Sequence, residues 1–484
     1  MSKLWRFPGG LHLPGHKTES TTLSVDMAPL PRHLILPLQQ HIGEAAKPLV
    51  NVGDHVLKGQ MIARAQGYVS ASLHAPSSGT VVEIGERSVP HPSGLNAACI
   101  VIETDGEDHW IELHPVKNYR EQDPSHLRNL IREAGIVGLG GAGFPTFIKL
   151  NPGSGKIVDT LILNGAECEP YITCDDMLMR ERPEEIIAGM LVMRHALQAR
   201  ECVIGVEDNK PLAIAALNQA LRNLRAQNEI RVVAVPTRYP AGGEKQLIQV
   251  LTGKEVPSNG LPLHIGVVCQ NVGTARAVYR ALEYGEPLIS RYVTVTGNGV
   301  TAPRNLDVLI GTPMRDLINF CGGETDQLGR LLMGGPMMGI ALSPDVPVIK
   351  TTNCLLTENE QPVAAPALPC IRCGACAEVC PVSLLPQQLY WHTRAKDFVK
   401  AQEYSLFDCI ECGCCTAVCP SHIPLVQYYR YAKTEIAHQE REKRKADVAR
   451  QRHEFRLQRL DREKAERAAR HEQKKAALAK QDVA

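Results

Sequence analysis

"CIRCGACAEVCP", residues 370–381, returns later in the chain as "CIECGCCTAVCP", residues 409–420. Both runs fit C-x2-C-x2-C-x3-C-P. An iron–sulfur cubane needs thiolates converging on its corners, and these short spacings wrap a loop around three irons while Gly374 and Gly413 let the backbone approach the sulfides. The fourth cysteine, followed by proline, starts a turn that points to the other cluster. On this reading one [4Fe–4S] cluster takes Cys370, Cys373, Cys376 and Cys419, and a second takes Cys380, Cys409, Cys412 and Cys415. Cys414 is then surplus, because the register places Ala375 at the equivalent position. Cys-x-x-Cys pairs also bind zinc, but four-cysteine zinc modules use two separated pairs rather than two identical runs each ending in Cys-Pro. Two clusters on interleaved runs would make a relay for single electrons.

Outward from the cassettes, 484 residues exceed what one core supports, so several domains are expected. Sixteen cysteines in a chain whose start, "MSKLWRFPGG", lacks the apolar stretch of a secretory signal argue for metal or thiol chemistry in a reducing compartment. No uninterrupted apolar run reaches the ~20 residues of a membrane-spanning helix. The chain is therefore expected in the cytoplasm, with any membrane contact made through partners, and no nucleic-acid partner is expected. The formal net charge is +1, but residues 435–484 carry 15 Lys+Arg against 10 Asp+Glu, which leaves the body at −4.

A second chemistry lies upstream. Residues 135–143 hold five glycines, Gly135, Gly138, Gly140, Gly141 and Gly143, a loop able to offer backbone N–H groups to a phosphate, with Lys149 as counter-charge. It does not fit the P-loop pattern, and a mobile turn is the plain alternative. "VDTLILN" (158–164), "ECVIGVEDN" (201–209) and "EIRVVAVPT" (229–237) read as buried strands, the last two separated by a helix-like segment. That alternation predicts a parallel α/β sheet with its ligand site at the carboxyl ends of the strands. Glu167 and Glu169 fall at the end of the first strand.

"GLGGAGFP" with Lys149, "NGAECEP" (164–170), "YPAGGEKQLIQVLTGKEVP" (239–257) and "CQNVGTARAV" (269–278) resemble four successive signatures of the flavin- and NADH-binding subunit of respiratory complex I. With the twin cassette behind them, their order resembles the C subunits of the Rnf/Rsx ion-translocating electron transport complexes over essentially residues 1–430. The resemblance implies that Gly138, Gly140, Gly141, Gly143 and Lys149 hold the phosphate of FMN and that Asn164 and Asn271 help seat the flavin. It further implies that Glu167, Glu169 and Glu244 line the catalytic place where flavin and nicotinamide meet. The chain departs from the complex I pattern at Leu139, Ala166 and Gly243, where that pattern carries charge.

The function so implied is an NADH-linked oxidoreductase: hydride from NAD(H) to FMN, then single electrons through two [4Fe–4S] clusters. The chain would be the peripheral electron-input subunit of a complex on the cytoplasmic face of the bacterial inner membrane. Other members of the complex would couple transfer to ion translocation, with a ferredoxin-type or other protein as acceptor. Two alternatives stand beside it, a soluble flavo-iron–sulfur NADH dehydrogenase and a relay scaffold without flavin.

The expected fold is multidomain, α/β and α+β. Residues 1–115 read as a barrel-sandwich (lipoyl-like) module on "GDHVLKGQ" and "APSSGTV", yet Ala63 to Val81 contains no lysine, which argues for a structural or docking role rather than a swinging arm. Residues 116–285 form the Rossmann-like FMN/NADH domain, 286–355 a β-grasp domain, and 356–430 the ferredoxin-like 2[4Fe–4S] domain. Residues 343–369 read as a proline-bearing connector. Residues 431–484 lack glycine and proline and read as a charged, solvated helix.

Overall fold

A computed structural model describes residues 3–116, 118–153, 155–325, 329–358 and 366–481, with side chains described as far as residue 475. It contains two compact units: one holds the described residues up to Gln387 together with Asp408–Ile423, the other Gln388–Phe407 and the residues from Pro424.

At the centre of the first unit is a four-stranded parallel sheet in the order Ile230–Val235, Glu201–Glu207, Thr160–Gly165, Val267–Asn271. Its strands are apolar on both faces because helices cover both sides, among them Pro183–Leu197, Pro211–Asn223, Glu244–Thr252 and Val272–Glu283. The chain steps outward from Thr160–Gly165 for two strands, then returns to its other side with Val267–Asn271. The order reverses there, and that switch opens a crevice at the carboxyl ends of those two strands. Asn164 and Asn271 are register partners at that end.

Two further sheet domains belong to the same unit. The barrel sandwich pairs a four-stranded sheet (His33–Pro37, Asn96–Thr104, Gly79–Ser88, His55–Val56) with a three-stranded one (Lys47–Pro48, Met61–Arg64, Leu73–His74). Its hairpin tip is docked: Tyr68 meets the Phe147 ring edge-on at 6.1 Å, and Arg132 stacks on the same ring at 5.1 Å. Residues ahead of His33 do other work. Leu11 bridges to Tyr239 of the flavin domain, and Asp26–Met27 joins the β-grasp sheet beside Arg304–Leu309.

The β-grasp domain is a six-stranded sheet with the helix Met314–Phe320 against it. The connector reading of 343–369 is corrected in part: Cys354–Glu358 is an inner strand of this sheet, parallel to Ser290–Thr296 and antiparallel to Arg330–Met333. The apolar run Cys354, Leu355, Leu356 is fully buried there, and burial outweighs the flanking prolines. The remainder of that connector includes residues 359–365, which lie outside the described residues.

The second unit packs an inter-cassette insertion on the start of a 57-residue helix, Leu425–Gln481. Tyr390 meets Tyr428 edge-on at 4.9 Å and Phe398 meets Tyr431 at 6.2 Å. Beyond Ile436 the described side chains are exposed or half-buried, and local pairs such as Lys445–Glu442 at 2.8 Å run along the helix. Among the described residues no helix is long and apolar enough to cross a membrane.

Candidate flavin crevice and iron–sulfur centres

The glycine loop enters the crevice between the helices Pro124–Glu133 and Thr146–Lys149. The Gly138 N–H closes its neck by donating to the Phe144 carbonyl at 2.8 Å. Leu139 buries its side chain in the core, while Gly140, Gly141 and Ala142 are exposed. Gly141 has φ +106°, and a Cβ there would meet no atom within 4 Å. The side chain withheld at Gly141 therefore leaves open approach to the backbone, which a phosphate cradle needs. The Cβ of a residue at Gly140 would stand 3.4 Å from Asn271.

Lys149 reaches the same region. Its Nζ donates to Glu244 Oε1 at 2.5 Å and to the Cys269 carbonyl at 3.1 Å, with the Lys149 and Glu244 side chains half-exposed. Asn164 Nδ2 donates to the Gly242 carbonyl at 2.7 Å. Asn271 caps the helix Val272–Glu283, its Oδ1 accepting from the Gly273 N–H at 2.8 Å, and its Nδ2 holds Asp175 at 2.7 Å. The loop, Lys149, Glu244, Asn164 and Asn271 are thus one constellation at the switch point.

Glu167 and Glu169 have further partners, and Glu167 adjoins Asp175, which Asn271 holds. Glu167, at φ +52°, caps the helix Cys174–Glu181, accepting from the Asp175 N–H at 2.7 Å and the Asp176 N–H at 3.2 Å. Burial pushes its carboxyl up, against the pull of Lys17. Lys17, from the N-terminal segment, donates to the carbonyls of Glu167, Glu169 and Ile172 at 2.8, 2.8 and 2.5 Å. A second lysine, the fully buried Lys210, donates to the Ala166 carbonyl at 2.7 Å and to Glu207 at 3.1 Å. Glu169 Oε2 accepts from the Met337 N–H at 3.2 Å, and burial pushes the carboxyl up to about 7 against the pull of the Met337 and Met338 N–H groups. Sequence reasoning missed both lysines, since neither "GHKTES" nor "EDNKPL" distinguishes them from surface residues.

The cassettes fold alike. Arg372 and Glu411 have φ +57° and +58°, Gly374 and Gly413 +85° and +82°, Ser383 and His422 +52° and +50°. Left-handed backbone costs a residue with a side chain on the order of 1 kcal/mol. Its recurrence at equivalent non-glycine positions fits two loops shaped around similar metal clusters. The Leu384 N–H donates to Cys380 Sγ at 3.3 Å. Burial raises the Cys415 thiol, and the charges of Cys409, Cys412 and Cys380 act on it next; burial raises Cys376, with Cys373 and Cys370 acting on it. Cys380, Cys412 and Cys415 are buried and Cys409 half-buried, whereas Cys373 is exposed and Cys370, Cys376 and Cys419 half-buried. Cys414 is fully buried, packed with Tyr239 and Cys412.

One short segment joins crevice and cassettes. The Tyr239 hydroxyl donates to the Cys412 carbonyl at 2.6 Å, and the Gly242 carbonyl takes Asn164. Glu244 takes Lys149, Lys245 pairs with Asp408 at 3.5 Å, and Gln246 Nε2 donates to the Pro381 carbonyl at 3.3 Å.

A glycine-loop flavin fold tied in this way to a twin four-cysteine module defines a protein that carries FMN and [4Fe–4S] clusters. Family models agree along the chain: RnfC Barrel sandwich hybrid domain over 5–107, Nuo51 FMN-binding domain over 131–280, SLBB domain over 292–341 and 4Fe-4S dicluster domain over 369–423. The FMN-binding match runs through Leu139, Ala166 and Gly243, the three departures from the complex I pattern. The C subunit of the ion-translocating oxidoreductase complex of Pseudomonas aeruginosa is 54% identical over 97% of this chain and 60% of its own length. The proteins of the same name from Yersinia pestis bv. Antiqua and Vibrio cholerae serotype O1 are each 50% identical over 97% of this chain, and over 76% and 61% of their own lengths. The chain belongs to this family of C subunits, and it spans about three fifths of the Pseudomonas relative. Two structures of NAD+-reducing [NiFe]-hydrogenase, air-oxidized and H2-reduced, match at 20% and 19% identity with TM-scores of 0.44 and 0.46. They cover 57% and 62% of this chain and 54% and 61% of theirs.

Proposed function

We propose that the chain is the peripheral electron-input subunit of a membrane-bound, ion-translocating oxidoreductase complex, working between NAD(H) and a ferredoxin-type or other acceptor on the cytoplasmic face of the bacterial inner membrane. Bound FMN supplies the conversion between hydride and one-electron chemistry, and the clusters supply one-electron carriers. The amides of Gly140, Gly141 and Gly143, with Gly138 closing the loop, and Lys149 bind the flavin phosphate. Lys149 exchanges its Glu244 partner for that phosphate, and Glu244 is left facing the nicotinamide side. Asn164 and Asn271 fix the flavin at the switch point. Glu167 shapes the loop around the site through its helix cap, and Glu169 stands between that loop and the Tyr239 contact with Cys412.

The observation that carries this reading is the segment Tyr239–Gln246, which touches the crevice and both cassettes within eight residues. It supports an order in which the cluster on Cys380, Cys409, Cys412 and Cys415 lies next to the flavin. The cluster on Cys370, Cys373, Cys376 and Cys419 is then the exit, where exposed Cys373, Ile371 and Leu368 offer a face to a ferredoxin-type partner. Ion translocation belongs to the partner subunits.

Anaerobic EPR with NADH as reductant tests the circuit. Lys149→Ala and Glu167→Gln should depress cluster reduction by NADH and leave reduction by dithionite intact. NADH rates equal to wild type would remove those residues from the site, and a preparation with about eight irons per chain and no flavin would overturn NADH entry while sparing the relay.

A further inference from the structure

The glycine loop carries no cation of its own, since Leu139 at its centre is apolar and buried. Behind it lies Arg291, 3% exposed, on the β-grasp strand Ser290–Thr296. Its Nη2 donates to the Leu139 carbonyl at 3.1 Å and its Nη1 to the Lys350 carbonyl at 2.5 Å. Lys350, 1% exposed, donates from Nζ to the carbonyls of Gly135 at 2.6 Å and Ser72 at 2.8 Å, so the loop's first residue is pinned as well. From the other side the Leu139 N–H donates to Thr274 Oγ1 at 2.9 Å.

This arrangement sets the loop's direction. In a trans peptide the carbonyl and the following N–H point opposite ways. The Leu139 carbonyl is drawn inward onto Arg291, so the Gly140 N–H faces the exposed side, where Gly141 and Ala142 also lie. Arg291 also brings a charge. Among the described residues no carboxylate lies within ion-pair distance of it; burial opposes its charge, and Cys174 and then Asp175, itself held by Asn271, support it from nearby. A buried guanidinium whose described hydrogen bonds go mainly to carbonyls favours further negative charge nearby.

We propose that Arg291, seated on Lys350, is a positioning residue for the phosphate end of the flavin, aiming the Gly140 amide outward and placing a positive charge behind the loop. The assignment rests on reading this loop as the flavin-phosphate site. It makes phosphate affinity a property of the β-grasp domain as well as of the flavin domain. Lysine cannot substitute, because an ammonium lacks the planar fork that spans the carbonyls of Leu139 and Lys350.

The test compares FMN with riboflavin, which lacks the phosphate, by fluorescence titration of the full chain freed of flavin under anaerobic conditions. Arg291→Lys should weaken FMN by about tenfold or more and riboflavin by less than about twofold. Thr274→Val, which keeps the charge but releases the Leu139 N–H, should weaken FMN by about threefold with riboflavin unchanged. An FMN-to-riboflavin preference equal to wild type in Arg291→Lys overturns the assignment, whether both affinities fall or neither does. Should that variant fail to fold, the same ratio in Thr274→Val decides. A wild-type chain that takes FMN no better than riboflavin removes the flavin-phosphate reading itself, and this assignment with it.

Discussion

The two cassettes share sequence and backbone yet differ in surroundings. Each turns left-handed at the residue before its second cysteine and again at its glycine, and each continues into a single helical turn, Ala375–Glu378 or Cys414–Ala417. Around Gly374 a Cβ would meet nothing within 4 Å, whereas at Gly413 it would stand 2.8 Å from the Met337 carbonyl. The first cassette meets its surroundings at Val379 and Pro381 and faces outward at Cys373, whereas the second is packed at Cys412 and Gly413 on the flavin and β-grasp domains. On the proposed reading the repeated motif supplies the ligands, and the unrepeated residues around it make one cluster inner and the other outer.

The comparison breaks most sharply at the ligands. Cys412→Ser should cost the inner cluster, halving iron from about eight to about four per chain, and abolish NADH-driven reduction of the outer one. Cys373→Ser should cost only the outer cluster and leave the inner one reducible by NADH, as read by EPR. NADH reduction of the outer cluster surviving in Cys412→Ser would reverse the order. In the wild-type chain, ferricyanide or a chelator should remove iron in two phases, with Cys373→Ser lacking the fast phase. A single phase would deny that exposure distinguishes the two sites.

How much of this is legible in sequence depends on how local its cause is. The cassettes are legible because their ligands follow one another within twelve residues and the repeat supplies its own register. The glycine loop and the parallel strands follow from short patterns, whereas Asn164 and Asn271, register partners in the sheet, are pointed to only by the family resemblance. Lys17, Lys210, Arg291 and Lys350 are not legible: each acts on backbone carbonyls, in most cases far away in sequence, and a carbonyl leaves no mark on residue type. Cys354–Glu358 is hidden by the prolines around it, since only the completed sheet reveals that its apolar run pairs on both sides.

A finer version of the comparison uses Tyr239, whose hydroxyl bonds to the second cassette. Its hydroxyl donates to the Cys412 carbonyl at 2.6 Å. Tyr239→Phe removes that bond, worth about 1 kcal/mol, without altering packing much. The inner cluster's EPR signal and midpoint potential should shift while those of the outer cluster stay fixed. Equal shifts in both would mean that Tyr239 acts on the module as a whole.

The smallest effect is expected at the thiol that breaks the repeat. Cys414 occupies the position of Ala375, starting the same helical turn one residue after the glycine. Ala375 carries a methyl group at the outer cassette; Cys414 fills space at the inner one, fully buried against Tyr239 and Cys412. The extra sulfur is thus explained by packing against the flavin domain, the feature that distinguishes the cassettes. Cys414→Ala should keep both clusters, with iron content and EPR signals unchanged, and cost about 1 kcal/mol of stability from the small cavity. The converse change, Ala375→Cys at the outer cassette, places a thiol at a half-buried position and should leave iron content unchanged as well. Loss of either cluster in Cys414→Ala would show that the register of the second cassette is shifted by one residue, with Cys414 a ligand in place of Cys415.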